Sequence, residues 1–366
     1  MLKLRIPFNF IFSRQLHKEV RNKLKEKKSS KKLALDYFDF FYGSTFGKEW
    51  NPMRLALLTE RKYTALVNNY SNFIETNSKL EKLGSINLLN FLEKYHEKNK
   101  HDVSNIHIPK NINIYTFDNG DTSQYPSPKQ NSDNLMNYYC IDGASLLPIF
   151  AMNIQKDDLI LDLCSSPGGK TLVMLQTLLP RNITCRDISQ NRLERLVRMI
   201  KSYIPENEFK RLINIEMNLP ILHKADEDRF DKVLVDVPCT NDRHSLHTDE
   251  NNIFSKGRSE ERASISKKQA ELLTQGILSC KPNGTIIYST CSLSPIQNEG
   301  VVNAVMNSFD GHSKFTLKIE PLDYLKDYFE YFLKFSSSCK TGLLVSPDIK
   351  KNFGPFYLCK ISKLSK

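Results

Sequence analysis

The chain has 366 residues, 40% of them hydrophobic and 25% charged, which is ordinary globular composition at a length of roughly two domains. No uninterrupted apolar stretch reaches the ~18 residues that a membrane-spanning helix needs, so an integral helical membrane protein is excluded. The formal net charge of +11 is placed unevenly: eleven basic and two acidic residues among the first 32 carry +9 of it, leaving a nearly neutral body.

Residues 1–18, MLKLRIPFNFIFSRQLHK, hold no acid and mix basic side chains with Leu, Ile and Phe. That composition predicts a mitochondrial presequence within residues 1–30, and with it a matrix location; a solvated basic tail touching RNA is the alternative. Residues 31–134 read as a small helical region with a long polar connection. LALDYFDFFYG and MRLALLTERKYTALVNNYSNFIETNSKLEKLG repeat Leu, Tyr and Phe at three and four residues. Residues 97–133, rich in Asn, Ser, Asp and Pro, admit at most one short strand, INIYTF.

From about Leu135 to Lys366 the pattern alternates. DDLILDLC, NITCRDI, RLINIEM, FDKVLVDVP and GTIIYSTC are short apolar runs of the kind buried strands make, separated by helical stretches such as SQNRLERLVRMIKSYI and SISKKQAELLTQGILSCK. This order predicts an α/β fold: a doubly wound, mostly parallel, Rossmann-like sheet with helices on both faces. TGLLVSP and GPFYLCKIS read as an antiparallel hairpin added at the sheet edge. None of the eight cysteines pairs at the two-to-four-residue spacing of a zinc knuckle, so no metal site is expected and the thiols are read as reduced.

In such sheets ligands bind beyond the carboxyl ends of the strands. The first turn there is Asp162-Leu163-Cys164-Ser165-Ser166-Pro167-Gly168-Gly169-Lys170-Thr171. A phosphate-binding P-loop fits it poorly, because Cys164 replaces the first glycine and Pro167 removes a backbone donor. An adenosine cofactor without a phosphate chain fits better: Asp187 stands 19 residues beyond Gly168, where an acid holds ribose hydroxyls, and Arg192 follows one helical turn later. A plain strand–helix turn with an incidental Asp is the bland alternative.

Two cysteines follow two successive strands, Cys239 in Asp236-Val237-Pro238-Cys239-Thr240 and Cys291 in Ser289-Thr290-Cys291-Ser292. Both are predicted at the rim beside the cofactor loop. Paired thiols suit methylation of a pyrimidine, whose carbon-5 is too weak a nucleophile to act unaided. A thiolate adding at carbon-6 activates it, an acid such as Asp236 stabilises charge near the ring nitrogen, and a second group frees the enzyme afterwards. A free thiol of pKa ~8.5 is only about 3% ionised at pH 7, and bringing it to ~7 takes about 2 kcal/mol. A locally electropositive site is therefore expected, with Lys170 the nearest cation.

DLCSSPGGKT, the acid of RDIS, DVPCT and YSTCSL, in this order and spacing, resemble the Sun-domain (NSUN/RsmB/RsmF-type) RNA cytosine-5 methyltransferases. Asp142-Gly143-Ala144-Ser145-Leu146-Leu147-Pro148 is similar to that family's opening motif, so the resemblance runs from about Tyr139 to Leu364. It implies a class I methyltransferase fold and S-adenosyl-L-methionine as cofactor, contacted by Cys164, Ser165, Ser166, Pro167, Gly168, Gly169, Lys170, Asp187, Arg192, Asn218, Leu219 and Asp236. It also implies Cys291 as nucleophile and Cys239 as the release group. The reverse assignment stays open, because DNA cytosine methyltransferases attack with a Pro-Cys thiol. Asn218 stands where the family usually has Asp, which implies weakened cofactor binding.

YGSTFGKEW, LTERKYTALVNNY, CTNDRHSLHTDENNIF and NFGPFYLCK are similar to the family's mitochondrial branch, which methylates small-subunit ribosomal RNA. That branch implies a role in mitoribosome assembly and a helical-repeat partner of the mitochondrial transcription-termination-factor type. Methylation of a mitochondrial tRNA, or an RNA-binding assembly scaffold with secondary catalysis, remain alternatives. The target base must be unpaired or flipped, and Arg243, His244 and His247 are candidates to line its entrance.

Overall fold

The computed structural model describes residues 28–101, 106–217 and 226–366. The basic leader expected over residues 1–30 falls almost wholly outside the described residues, as do Asn218 and Leu219.

Helices α1 (Ser30–Phe46) and α2 (Trp50–Leu58) come first. An antiparallel sheet follows, made of β1 (Thr64–Val67), β2 (Ile86–Asn87), β3 (Ile114–Thr116) and β4 (Tyr138–Ile141) in the order β2-β3-β1-β4, with α3 (Phe73–Lys82) and α4 (Leu88–Asn99) between its strands. β3 lies inside the expected strand INIYTF. β1 corrects the continuous helical reading of this stretch: the helix stops at Leu58, and TALV is buried along its whole length, where its β-branched Thr and Val favour extended backbone.

α1 begins where the Ser29 side chain accepts from the Lys32 N–H. Its buried residues Ala34, Phe38, Tyr42 and Phe46 recur every four positions and form one stripe, with the Phe38 and Tyr42 rings stacked at 5.0 Å. That stripe is buried in the same apolar cluster as strands of the second sheet, so α1 and α2 cover the larger sheet directly.

The larger sheet runs β10-β12-β9-β8-β5-β6-β7. Its centre is parallel: β5 (Leu159–Asp162), β6 (Asn182–Asp187), β7 (Ile213–Met217), β8 (Phe230–Asp236) and β9 (Cys280–Thr290). Strand alternation divides the core into two faces. Ile160, Ile183, Cys185, Leu234 and Ile287 point to one, against α5 (Leu147–Met152), α6 (Gly169–Gln176) and α7 (Gln190–Lys201). Leu161, Val233, Val235, Ile286 and Tyr288 point to the other. Besides α1 and α2, α11 (Ile265–Ser279) and α12 (Glu299–Ser308) cover that second face; α8 (Glu206–Leu212), α9 (Asp242–His247) and α10 (Ser259–Ala263) precede them in the chain. Helices on both faces of a parallel sheet make the fold the expected Rossmann-like methyltransferase architecture.

β11 (Leu343–Val345) and β12 (Phe356–Ser365) do pair antiparallel, but β12 is not an edge. It lies between β9 and β10 (Phe315–Glu320), so β10 and β11 share its outer side. β10 escaped the sequence reading because FTLKIE is interrupted by charge, the exposed Lys318 and the half-buried Glu320, as edge strands are. α13 (Asp323–Phe329) joins the first face. Among the described residues no helix is long and apolar enough to cross a membrane.

Candidate active site

The carboxyl ends of β5, β8 and β9 open onto a cleft of about 440 Å³, lined by residues that include the 164–170 loop, Asp162, Asp236, Cys291, Tyr139, Arg61, Tyr63 and Phe356. The loop after β5 is fixed from several sides. The Ser165 N–H and hydroxyl both donate to the Arg186 carbonyl, at 2.9 and 3.0 Å. Arg192 donates to the Ser166 carbonyl at 2.7 Å and lies 3.3 Å from Asp187, which itself accepts from the Ser189 N–H. Gly168 adopts φ +109°, and a Cβ there would sit 2.3 Å from Met199 Cε; one on Gly169 would meet the Tyr139 hydroxyl at 3.2 Å. The backbone thus passes closer to α7 and Tyr139 than a side chain permits.

Asp162 is buried, accepts from the Thr171 hydroxyl at 2.7 Å, and is pushed up to about 7 by burial. Its other oxygen and the buried Ser166 hydroxyl have no partner among the described residues. Asp142, Asp162 and Asp236 line the cleft, with Asp187 beside it, against Arg61, Lys170 and Arg243, so the lining carries no surplus of cations for a phosphate chain, which argues against the P-loop alternative.

β8 and β9 place Asp236 opposite Ser289, so the two cysteine turns leave the sheet side by side. The Cys239 and Cys291 sulfurs stand 3.2 Å apart. Asp236 accepts from Ser289 at 2.7 Å and from Lys170 at 2.7 Å, and the Lys170 ammonium also lies over the Phe356 ring. The expectation of a thiol activated by Lys170 is corrected here. The hydrogen bond with Cys239, then burial, then the electrostatic influence of Cys239 and, after it, of Asp236 hold the Cys291 thiol well above its ordinary range. Lys170 pulls the other way, but its charge is engaged by Asp236. Cys164 lines the cleft as a thiol that burial keeps protonated.

At the entrance, His244 lines the cleft. Arg243 borders it but is buried, with its donors spent on the carbonyls of Ala56, Thr59 and Gly354 and the Asn352 side chain. His247 is turned toward the Leu57 carbonyl. Sequence reasoning missed the groups that brace the two cysteine turns. Asp242 and Tyr42 meet beneath them at 2.7 Å. Gln297 accepts from the Thr240 N–H and donates to its hydroxyl, and Asn298 accepts from the Thr290 hydroxyl and donates to the Ser292 carbonyl. The polar pair Gln297-Asn298 shortly after Cys291 was a usable signal; Tyr42 offered none.

Residues 149–341 match the family described as 16S rRNA methyltransferase RsmB/F. The chain is 39% identical to a 5-cytosine rRNA methyltransferase NSUN4 of Bos taurus, over 100% of this chain and 97% of that one. It is 31% identical to a mitochondrial tRNA (cytosine(34)-C(5))-methyltransferase of Danio rerio, over 90% and 87% of the two chains. A crystal structure of a methyltransferase homologue from Pyrococcus horikoshii shares the fold, with a TM-score of 0.61 over 90% of this chain and 95% of that one at 23% identity. The chain belongs to the RsmB/F family of S-adenosylmethionine-dependent RNA cytosine-5 methyltransferases.

Proposed function

We propose that this chain methylates carbon-5 of a cytosine in mitochondrial small-subunit ribosomal RNA through a covalent adduct on Cys291, with Cys239 releasing the product. The observation that carries the reading is the thiol pair at 3.2 Å, of which Cys291 lines a cleft shared with Asp236, Lys170 and the glycine loop. The ribosomal RNA substrate is supported by the Bos taurus relative, and the mitochondrial setting by the Danio rerio one, a mitochondrial enzyme by name.

The residues present fit S-adenosylmethionine. Gly168 and Gly169 leave room that a Cβ would fill, the carboxylates suit a sulfonium cation, and the unpartnered Ser166 hydroxyl and Asp162 oxygen offer polar contacts. Asp187, braced by Arg192, suits the ribose hydroxyls. When bound, the cofactor supplies an electrophilic methyl group.

The chain's own groups do the rest. Cys291 attacks as the thiolate, its proton leaving to solvent directly or by way of Cys239, 3.2 Å away. Its sulfur adds to carbon-6, and the electron pair displaced from the 5,6 double bond makes carbon-5 nucleophilic. Lys170, held by Asp236, supplies positive charge facing the electron-rich ring. Cys239 loses its proton to solvent and then takes the one on carbon-5; the C–H pair reforms the double bond and the carbon-6–sulfur bond breaks, returning its pair to Cys291.

The same reading includes a role in mitoribosome assembly, a matrix location and a partner of the mitochondrial transcription-termination-factor type, for which the exposed Phe40, Phe73 and Ile74 are docking candidates. Transfer of a labelled methyl group to mitochondrial small-subunit ribosomal RNA, with the product mapped to single cytosines, tests the substrate. Labelling of mitochondrial tRNA instead would replace ribosomal RNA with tRNA.

A further inference from the structure

Beneath the two cysteines lies a carboxylate that methyl-transfer chemistry does not itself use. Asp242 is fully buried at the start of α9. One of its oxygens accepts from the Leu293 N–H at 2.7 Å and from the Tyr42 hydroxyl at 2.7 Å. The other accepts from the Thr240 hydroxyl at 2.6 Å and the Ser292 hydroxyl at 3.2 Å. Thr240 follows Cys239, and Ser292 and Leu293 follow Cys291. The Asp242 N–H also donates to the Cys291 carbonyl at 3.2 Å.

Four donors from three chain segments therefore converge on one side chain, and among the described residues no cation pairs with it. Burial raises the Asp242 carboxyl while these donors oppose the rise. A carboxylate satisfied in this way is a rigid joint: without it the three hydroxyls keep only one another as acceptors, Thr240 and Ser292 at 2.8 Å and Tyr42 and Ser292 at 3.3 Å, and the buried Leu293 N–H loses its acceptor. The joint spans both cysteine turns and reaches α1, a helix 200 residues away in sequence, through Tyr42.

We propose that Asp242 is a positioning residue that sets the spacing of Cys239 and Cys291, and that Tyr42 makes α1 part of the scaffold of the catalytic centre. The consequence for turnover rests on the two-thiol reading above; the spacing itself does not. Loosening the joint by about an ångström is enough to uncouple two groups that must act in turn on the same base.

The test uses the full chain with Asp242→Asn and, separately, Tyr42→Phe. Asn keeps an acceptor for Leu293 and Tyr42 but turns N–H donors toward Thr240 and Ser292. Tyr42→Phe removes the hydroxyl's bonds to Asp242 and Ser292 and leaves every charge around Cys291 in place, including Asp236 and Lys170. Alkylation of Cys291 by iodoacetamide, followed peptide by peptide across pH, reports whether Cys239 still bonds to it. The expected result is a midpoint lower by about one pH unit in both variants. Turnover with RNA should fall about tenfold for Asp242→Asn and about threefold for Tyr42→Phe, with KM for S-adenosylmethionine within about twofold of wild type. Folded variants that keep the wild-type Cys291 midpoint overturn the proposal. If Asp242→Asn fails to fold, Tyr42→Phe decides. If wild type transfers no methyl group, the functional reading fails while the alkylation midpoints still decide the spacing.

Discussion

The Cys291 thiol shares a hydrogen bond with the Cys239 thiol at 3.2 Å, and this bond is the largest influence keeping Cys291 protonated. The nucleophile is thus held in check by the group that later frees it. Removing either thiol changes the other's chemistry as well as its own step.

Cys239→Ala should lower the pH at which Cys291 is alkylated, because the first cause of its rise is gone. Burial and the charge of Asp236 remain, so the midpoint should stay above the ~8.5 of a free thiol. Peptide-resolved alkylation across pH checks this; an unchanged midpoint would show that the two sulfurs are not in contact in solution.

Asp162 makes stability fall with rising pH. Its carboxyl titrates at about 7 in the folded chain against 3.8 in the reference state, so the folded chain holds the extra proton between those values. Stability is greatest below about 4 with respect to this group and is lost progressively up to about 7, by at most about 4 kcal/mol. Asp162→Asn can keep the Thr171 bond without the charge. Measured without cofactor, its Tm should exceed that of wild type at pH 8 and differ little from it at pH 4.

Gly168→Ala should weaken both fold and cofactor site. A side chain at φ +109° costs on the order of 1–2 kcal/mol, and the new methyl group would displace Met199. Tm should drop by several degrees. S-adenosylmethionine affinity by calorimetry should fall about tenfold, because the 164–170 loop moves with the glycine.

Arg243→Lys should act on stability rather than on RNA. The guanidinium ties Ala56 and Thr59 to Asn352 and Gly354, and a lysine cannot reach all four acceptors at once. Leaving buried carbonyls unpaired costs roughly 2–3 kcal/mol. Denaturant unfolding should show that loss, while RNA affinity of the folded variant changes less than threefold.

What the sequence made readable was local. The central strands announce themselves in DLILDL, KVLVDV and TIIYST, and a glycine turn after the first marks the cofactor end. Cys239 and Cys291 could be put side by side because each follows a strand of one parallel sheet. Contacts made only by packing were not readable. Tyr42 meets Asp242 across 200 residues because α1 lies on the sheet, and nothing in LALDYFDFFYG names that partner. β1 and β10 were missed because helical spacing and edge charges masked them. The state of Cys291 was misjudged because it depends on Lys170 being bound to Asp236 and on the two sulfurs meeting.

The most direct test of the central claim is covalent trapping on small-subunit ribosomal RNA carrying 5-fluorocytosine, with S-adenosylmethionine present. Fluorine at carbon-5 cannot leave as a proton, so an adduct once formed persists. Wild type and Cys239→Ala should both give a protein–RNA band stable to denaturation, and Cys291→Ala should give none. A band that survives Cys291→Ala and disappears with Cys239→Ala would reverse the roles of the two thiols, and no band from any of the three proteins would contradict covalent catalysis altogether.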